Sequence, residues 1–448
     1  MEVTRTLARF IVSSRYEHIP QPIRHEAARA LLNWLGCAIG ASHHETIDNM
    51  LAALKPFSGP PQATIVGRSE RMDILHAALV NGVSSHVLDF DDTHARTIHP
   101  SAPVLPALLA YAEHKPVAGA ELVHAFVLGV EAEERIGISV FPEHYEVGWH
   151  ITGTAGVFGA AAAIGKLLKL NEQQMCWALG IAATQSAGLR EMFGSMCKSF
   201  HPGRAAQNGL TAALLASKGF TSSEQPIEAK RGWANVLSTK FDPTVVTEGL
   251  GERYELAYNM YKPYACGLVV HAAIDGCIQL STEHDLKGDE IEGVELTVNP
   301  IVLELTAKRE PGTGLEGKFS VFHAAAVAIV KRMAGEAQFS DEMVRSPELV
   351  ALRRRVEAVG DASIHKLEAR IRFRLRNGSV LEKHVKRALG SFERPLSDQD
   401  LEAKFRGLVD GVLPDSQAAR LIELCWKIAD LDDAAEIPRN AAKTADRR

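Results

Sequence analysis

The feature that most constrains this chain is the helical periodicity that fills roughly its first 265 residues, since apolar residues at steps of three and four build amphipathic helices. Pro20 and Pro22 stop the first helix. The next places Ile23, Ala27, Ala30, Leu31, Trp34, Leu35 and Ala38 on one face. The same spacing predicts helices over 73–87, 120–139, 152–169, 172–188 and 204–218, the last ended by Gly219. Gly159 and Ala160 to Ala163 make the middle helices able to pack closely. The uncharged stretches Trp149 to Gly165 and Met175 to Leu189 carry Gly, Thr, Ser, Gln or His. Both fall short of the ~20 apolar residues of a span, so they read as helices buried in a large helical body, with no membrane partner. No 20–50-residue period recurs, which excludes a solenoid.

The pattern changes after about residue 285. Val294, Leu296 and Val298 alternate with polar residues as in a half-buried strand. Leu367, Ala369, Ile371, Phe373 and Leu375 point one way and Glu368, Arg370, Arg372, Arg374 and Arg376 the other. Asn377-Gly378 predicts a type I′ turn before Val380 to Val385 returns. Helices are expected over 316–334 and 347–358. The expected architecture is mainly α: an all-helical domain over 1–265, completed by 397–435, and an α+β domain over 266–396. The polar stretch 436–448 is expected to be a mobile tail.

Charge narrows the partners. With 49 Lys+Arg against 55 Asp+Glu the net charge is −6, so nothing global attracts nucleic acid, and any anion site must be a local exception. The arginine stripe Arg370 to Arg376 alternates with core residues and lacks interleaved aromatics, as a solvated strand face would. The six cysteines are scattered without a CxxC, which points away from a disulfide framework, a zinc ribbon or an iron–sulfur run, and toward a reducing cytoplasm. The N-terminus lacks the basic-then-apolar order of a signal peptide.

The densest polar constellation is His86-Val-Leu-Asp89-Phe-Asp91-Asp92-Thr93-His94-Ala-Arg96-Thr97-Ile-His99-Pro100, at the end of an apolar helix. An Asp-rich loop is ordinarily a solvated cap, but its density and apolar flanks here favour a pocket. Two chemistries compete. Asp89, Asp91, Asp92 and His94 can ligate a divalent metal. Alternatively the loop runs metal-free acid–base chemistry, with His99 and Thr93 near a substrate and an Asp orienting a histidine. Three further segments set polar residues in apolar surroundings. Gly148-Trp149-His150 opens an Ala/Gly-rich helix, where amides and dipole favour an anion. Lys198, His201 and Arg204 form a short basic loop before another such helix, and Tyr261-Lys262-Pro263-Tyr264 precedes the helix from Leu268.

In order along the chain, these segments resemble the MmgE/PrpD family, which takes in 2-methylcitrate dehydratase, cis-aconitate decarboxylase and iminodisuccinate epimerase. The resemblance rests on His86-Val-Leu-Asp89-Phe-Asp91-Asp92-Thr93 with His99-Pro100, and on Gly148-Trp149-His150. It continues through Lys198 with His201-x-Gly203-x-Ala205-Ala206-x-Asn208-Gly209, then Lys262-Pro263-Tyr264-x-Cys266-Gly267, then Thr313-Gly314-Leu315-Glu316-Gly317-Lys318-Phe319-Ser320. The family implies a large all-helical domain completed by C-terminal helices, a smaller α+β lid inserted before them, a homodimer, and catalysis with no cofactor and no metal. Carried over from the family's decarboxylases, the site residues become Asp89, Thr93, His99, His150, Lys198 and Lys262.

The expectation is a lyase acting on a small di- or tricarboxylate, first a 2-methylcitrate or citrate-like dehydratase. Cis-aconitate decarboxylation or amino-dicarboxylate epimerisation is the alternative on the same site. Each builds carbanion character beside a carboxylate and needs a positioned proton donor or acceptor. His99 and His150 are expected as the acid–base pair, Asp89 as the orienting carboxylate and Thr93 as a hydrogen-bond donor. Lys198, Lys262, Arg204 and His201 are expected to bind the substrate anion.

Overall fold

The computed structural model describes residues 2–443 and divides into two compact units. One comprises the chain up to Asn259 together with the residues from Asp398; the other is Met260–Ser397. The protein is mainly α, with a smaller α+β unit.

The longer helices of the first unit are α1 (Val3–Ser13), α2 (Gln21–Gly40), α3 (Ile74–Val87), α4 (Ser101–His114), α5 (Gly119–Val140), α6 (Ile151–Leu167), α7 (Glu172–Ala183) and α8 (Cys197–Ser217). Asp73 caps α3 by accepting from the amides of Leu75 and His76 at 3.0 and 3.1 Å. Helix α6 is buried on every side from Ile151 to Gly165, which marks it as a central element rather than a surface amphipath. Its Ala and Gly residues let neighbours approach to backbone contact. A Cβ at Gly209 of α8 would stand 2.4 Å from Ala160 Cβ, and one at Gly203 would stand 2.5 Å from the carbonyl oxygen of Leu79 in α3. So α8 lies against both α3 and α6 at glycine-made crossings.

Two helix ends differ from the periodicity. Helix α8 begins at Cys197 rather than 204, so Lys198, His201 and Arg204 lie on its first turns and do not form a loop before it. Pro202, which has no N–H to give the Lys198 carbonyl, hides that start in the sequence. Helix α7 stops at Ala183 instead of 188, and the chain turns back so that the Gly188 carbonyl accepts from His150 N at 2.9 Å.

In the second unit, α9 (His271–Glu283) and α10 (Val321–Lys331) accompany a four-stranded sheet of β1 (Ile291–Val298), β2 (Val356–Gly360), β3 (Ala369–Leu375) and β4 (Val380–Val385) in the order β2-β1-β3-β4. Strand β1 runs parallel to β2, with Val294 opposite Val356, and antiparallel to β3, with Val298 opposite Ala369. The alternation read in β3 is the burial pattern found: Ala369, Ile371, Phe373 and Leu375 are inside and the arginines between them outside. The expected helix over 347–358 spans only Pro347–Arg353, because Val356 onward is taken up by pairing with β1. The hairpin turn is not type I′. Gly378 alone has positive φ, its amide bonds the Leu375 carbonyl, and Leu375 N bonds Ser379 O, a three-residue loop with the glycine in the bulge position.

The chain then returns to the first unit with α11 (Asp398–Val409) and α12 (Asp415–Trp426). Phe405 and Leu408 of α11 sit on Gly36 and Gly40 of α2, where a Cβ would come within 3.0 and 2.8 Å of them. The tail expected from Glu436 is helical over Glu436–Asn440, with Ile437 and Ala441 buried and the Ala441 carbonyl bonded by Gly67 N at 2.8 Å. A polar composition concealed the few apolar residues that anchor it, and 444–448 lie outside the described residues. Among the described residues, no helix is long and apolar enough to cross a membrane.

The crossing at Gly203 is testable. Gly203→Ala is expected to destabilise the protein by ~1–3 kcal/mol in denaturant unfolding, because the new methyl meets backbone that cannot give way. A variant as stable as the parent would contradict the close approach.

Candidate active site

Helix α3 delivers His86 in its last turn, and the chain leaves the helix through Asp89, a non-glycine residue at φ +53°. That left-handed conformation costs an L-residue ~1–2 kcal/mol, and it is commonly retained where a site needs it. Here the Asp89 carboxylate meets Lys198 Nζ of α8 at 2.7 Å.

Beyond Asp89 the loop residues take two sets of partners. One set anchors the loop. Asp92 accepts from Ser101 Oγ at 2.6 Å and from Asn259 Nδ2 at 2.8 Å. His94 lies 3.1 Å from Glu134 and 3.5 Å from Glu255, and the Thr97 hydroxyl donates to Glu134. The other set is a histidine network. Asp91 Oδ2 is 2.8 Å from His86 Nδ1 and 3.3 Å from His99 Nδ1. His99 Nδ1 also lies 2.8 Å from the Asp92 carbonyl and 3.4 Å from Thr93 Oγ1.

Helix α6 supplies His150 at its N-terminus. The side chain makes no cap; it turns to His201 of α8, Nδ1 to Nδ1 at 2.8 Å. A lone histidine at a helix start is often a cap, and here it is not. The His86 ring stands edge-on to His99 at 4.6 Å and near-parallel to His150 at 5.9 Å. Phe193 places its ring 5.0 Å from His150 and 5.5 Å from Lys198 Nζ. Residues from α3, the loop after it, α6 and α8 therefore make one cluster.

Burial decides the charge of this cluster. It pushes His86 down to about 4, outweighing the lift from the Asp91 carboxylate. Burial and the nearby Lys198 ammonium hold His201 at about 4. His150 is held well below the usual imidazole range by burial, then by His86 and Lys198. Burial acts upward on Asp91, but its two imidazole partners outweigh it and keep the carboxyl well below the usual range. At neutral pH the cluster thus offers neutral imidazoles at His86, His150 and His201, an ionised Asp91, and the Asp89–Lys198 pair.

Beneath the anchoring side lies a buried acidic stretch of α5. Burial raises Glu131 to about 7 although Arg135 pairs with it at 2.5 Å, and raises Glu134 to about 7 although His94 opposes. Glu133 is raised well above the usual range by burial, then by Glu134 and Asp92. Neither of its oxygens has a hydrogen-bond partner among the described residues.

Of the residues expected from the sequence, Asp89, Thr93, His99, His150, Lys198 and His201 come together. Arg204 does not; it is on the exposed side of α8, hydrogen-bonded to Gln207. Lys262 belongs to the α+β unit, where its side chain is buried. The orienting carboxylate is a correction: Asp89 is paired with Lys198, and the carboxylate beside the imidazoles is Asp91, hydrogen-bonded to His86 Nδ1 and 3.3 Å from His99 Nδ1. The metal set Asp89, Asp91, Asp92 and His94 is not assembled, because Lys198, two histidines, Ser101 with Asn259, and two glutamates respectively claim its members. His86, Asp91 and His99 offer ligand-type atoms within 4.8 Å of one another. Asp91 Oδ2 is hydrogen-bonded to His86 Nδ1, while His99 Nδ1, 3.3 Å from the same oxygen, bonds the Asp92 carbonyl, so protein groups already engage the trio. His86 and Asp91 were within the conspicuous motif, but only folding shows them facing His99.

Residues 5–246 match the MmgE/PrpD N-terminal domain and residues 264–428 the MmgE/PrpD C-terminal domain, so the chain belongs to the MmgE/PrpD family. A cis-aconitate decarboxylase of Aspergillus terreus is 26% identical over 464 residues, covering 96% of this chain and 94% of the relative. The Mus musculus and Homo sapiens cis-aconitate decarboxylases are each 26% identical, covering 98% and 97% of this chain and 93% of their own lengths. At family level these relatives support a lyase-type function.

Glu133 generates a stability prediction. Its carboxyl ionises in the unfolded chain near pH ~4.3 but resists ionisation when folded, so its contribution is full below that value and falls as pH rises, by up to ~1.4 kcal/mol per pH unit. Glu133→Gln is expected to flatten the decline of unfolding free energy between pH 5 and pH 8 (roughly the span set by that linkage). An unchanged slope would show that Glu133 is ionised in the fold.

Proposed function

We propose that this protein is a lyase acting on a small di- or tricarboxylate, running acid–base chemistry with its own side chains. The observation that carries the reading is the Asp89–Lys198 ion pair set beside four imidazoles, those of His86, His99, His150 and His201, in a body whose net charge is −6. A substrate carboxylate is drawn to the Lys198 ammonium, whose field is strengthened by partial burial. With that anion held, His99 and His150 are placed to remove or return a proton at the adjoining carbon, and the resulting carbanion is delocalised into the carboxylate as an enediolate. The Thr93 hydroxyl serves as a hydrogen-bond donor to the substrate. Lys262, in the α+β unit, is proposed as a further anion-binding cation.

Two outcomes build a carbanion stabilised in this way. Expulsion of a β-hydroxyl gives dehydration, as on a 2-methylcitrate or citrate-like substrate, the outcome put first by the sequence. In decarboxylation no proton is removed first: the bond to CO₂ breaks, its electron pair forms the carbanion conjugated with a remaining carboxylate, and a histidine returns one proton; the names of the full-length relatives favour this outcome on cis-aconitate. Epimerisation of an amino-dicarboxylate would need only removal and return of the proton.

An NMR screen of 2-methylcitrate, citrate, cis-aconitate and iminodisuccinate in D₂O separates these readings, because water loss, CO₂ loss and simple α-deuteration leave different spectra. Turnover of at least one is expected; inertness toward all four would sink the polycarboxylate reading. Binding should also be linked to protons. A polyanion seated beside imidazoles held near 4 raises their proton affinity, so citrate binding at pH 6–7 is expected to take up protons. Titration calorimetry in two buffers of different ionisation enthalpy reads this directly, and net proton release would count against the site.

A further inference from the structure

We propose that Asp91 is the positioning residue of this site: one carboxylate oxygen, acting with the Asp92 carbonyl, holds His86 and His99 in the same Nδ1–H tautomer and so presents Nε2 of His99 as the basic atom. The role of His99 as a base rests on the lyase reading above; the tautomer assignment does not.

The assignment follows from what each atom can do. His99 Nδ1 faces the Asp92 carbonyl at 2.8 Å and Asp91 Oδ2 at 3.3 Å. A backbone carbonyl only accepts, and Asp91 is ionised, so the hydrogen must be on Nδ1. The Thr93 hydroxyl, 3.4 Å from that nitrogen, keeps its own proton to donate elsewhere. His86 Nδ1 gives its hydrogen to the same Oδ2 at 2.8 Å. Its Nε2 is buried with no hydrogen-bond partner among the described residues, and an unpaired acceptor there costs less than an unpaired N–H donor. Both rings therefore carry their lone pair on Nε2.

Exposure then separates the two rings. The His86 side chain is 0% exposed and the His99 side chain 14%, so His99 is the one a substrate reaches, while His86 buttresses it edge-on at 4.6 Å. When His99 Nε2 takes the proton of the substrate C–H, the electron pair of that bond moves into the carboxylate-stabilised enediolate. The imidazolium keeps its Nδ1–H on the Asp92 carbonyl, and the Asp91 carboxylate 3.3 Å away stabilises the new charge without itself being protonated.

Histidine-¹⁵N-labelled protein tests this, with long-range ¹H–¹⁵N spectra at pH 7 assigned through His86→Gln and His99→Gln. In the unsubstituted protein both rings are expected as Nδ1–H tautomers; an Nε2–H tautomer at either overturns the proposal. Asp91→Asn keeps the shape but can turn an amide donor toward the rings. It is expected to convert at least one ring to Nε2–H and to lower kcat by ~10²–10⁴ with KM changed less than about threefold. A kcat within tenfold of the parent, with both tautomers unchanged, also overturns it. If Asp91→Asn fails to fold, or if no substrate is turned over and the lyase reading falls, the parent spectrum decides the tautomers alone.

Discussion

The close approach of one helix to two others is the constraint on which the site depends. At Gly203 and Gly209 helix α8 meets the backbones of α3 and α6 with no room for a methyl group. Lys198 and His201 ride on that helix and reach Asp89 and His150 at 2.7 and 2.8 Å. An outward shift of even one methyl radius would break both contacts, since hydrogen bonds lose most of their strength over such a distance. The Ala and Gly content of the body is thus a condition of the chemistry as well as of packing. It sets how near three buried helices can bring groups that repel one another when charged.

Repulsion and burial together keep His86, His150 and His201 neutral where solvated histidines would titrate. These three imidazoles are held low by burial and by the Lys198 ammonium or by each other, which reserves them as proton acceptors until an anion arrives. The opposite logic holds for the acids of α5, where burial keeps carboxyls protonated toward neutral pH. The loop after α3 joins these regions. Asp92, His94 and Thr97 fasten it to the body, leaving Asp89, Asp91, Thr93 and His99 to the site.

Much of this was legible in one dimension. Apolar spacing located the helices of the body, and strict alternation from Ala369 to Leu375 predicted which face of β3 is buried. The dense motif from His86 to Pro100 marked the site because so many polar groups rarely interrupt apolar helices. Less legible were elements whose local signals conflict with their tertiary setting. Pro202 concealed the first turns of α8, strand pairing took Val356 from an apparent helix, and a few buried residues anchored a polar C-terminal segment. Arg204 looked equivalent to Lys198 in spacing, yet the helix turns it to the exposed side.

Within the motif, the sequence by itself determined which functional groups are available and that they lie at the end of a buried helix. Local chemistry and periodicity suffice for that. Which carboxylate serves which partner was decided only by tertiary structure. Asp89 and Asp91 are two residues apart and chemically the same, but a left-handed turn sends one to a lysine 109 residues away and the other to two imidazoles. The reason is physical: hydrogen bonds require direction and distance that spacing along the chain does not specify, and those are supplied by how closely the glycine-bearing helices pack.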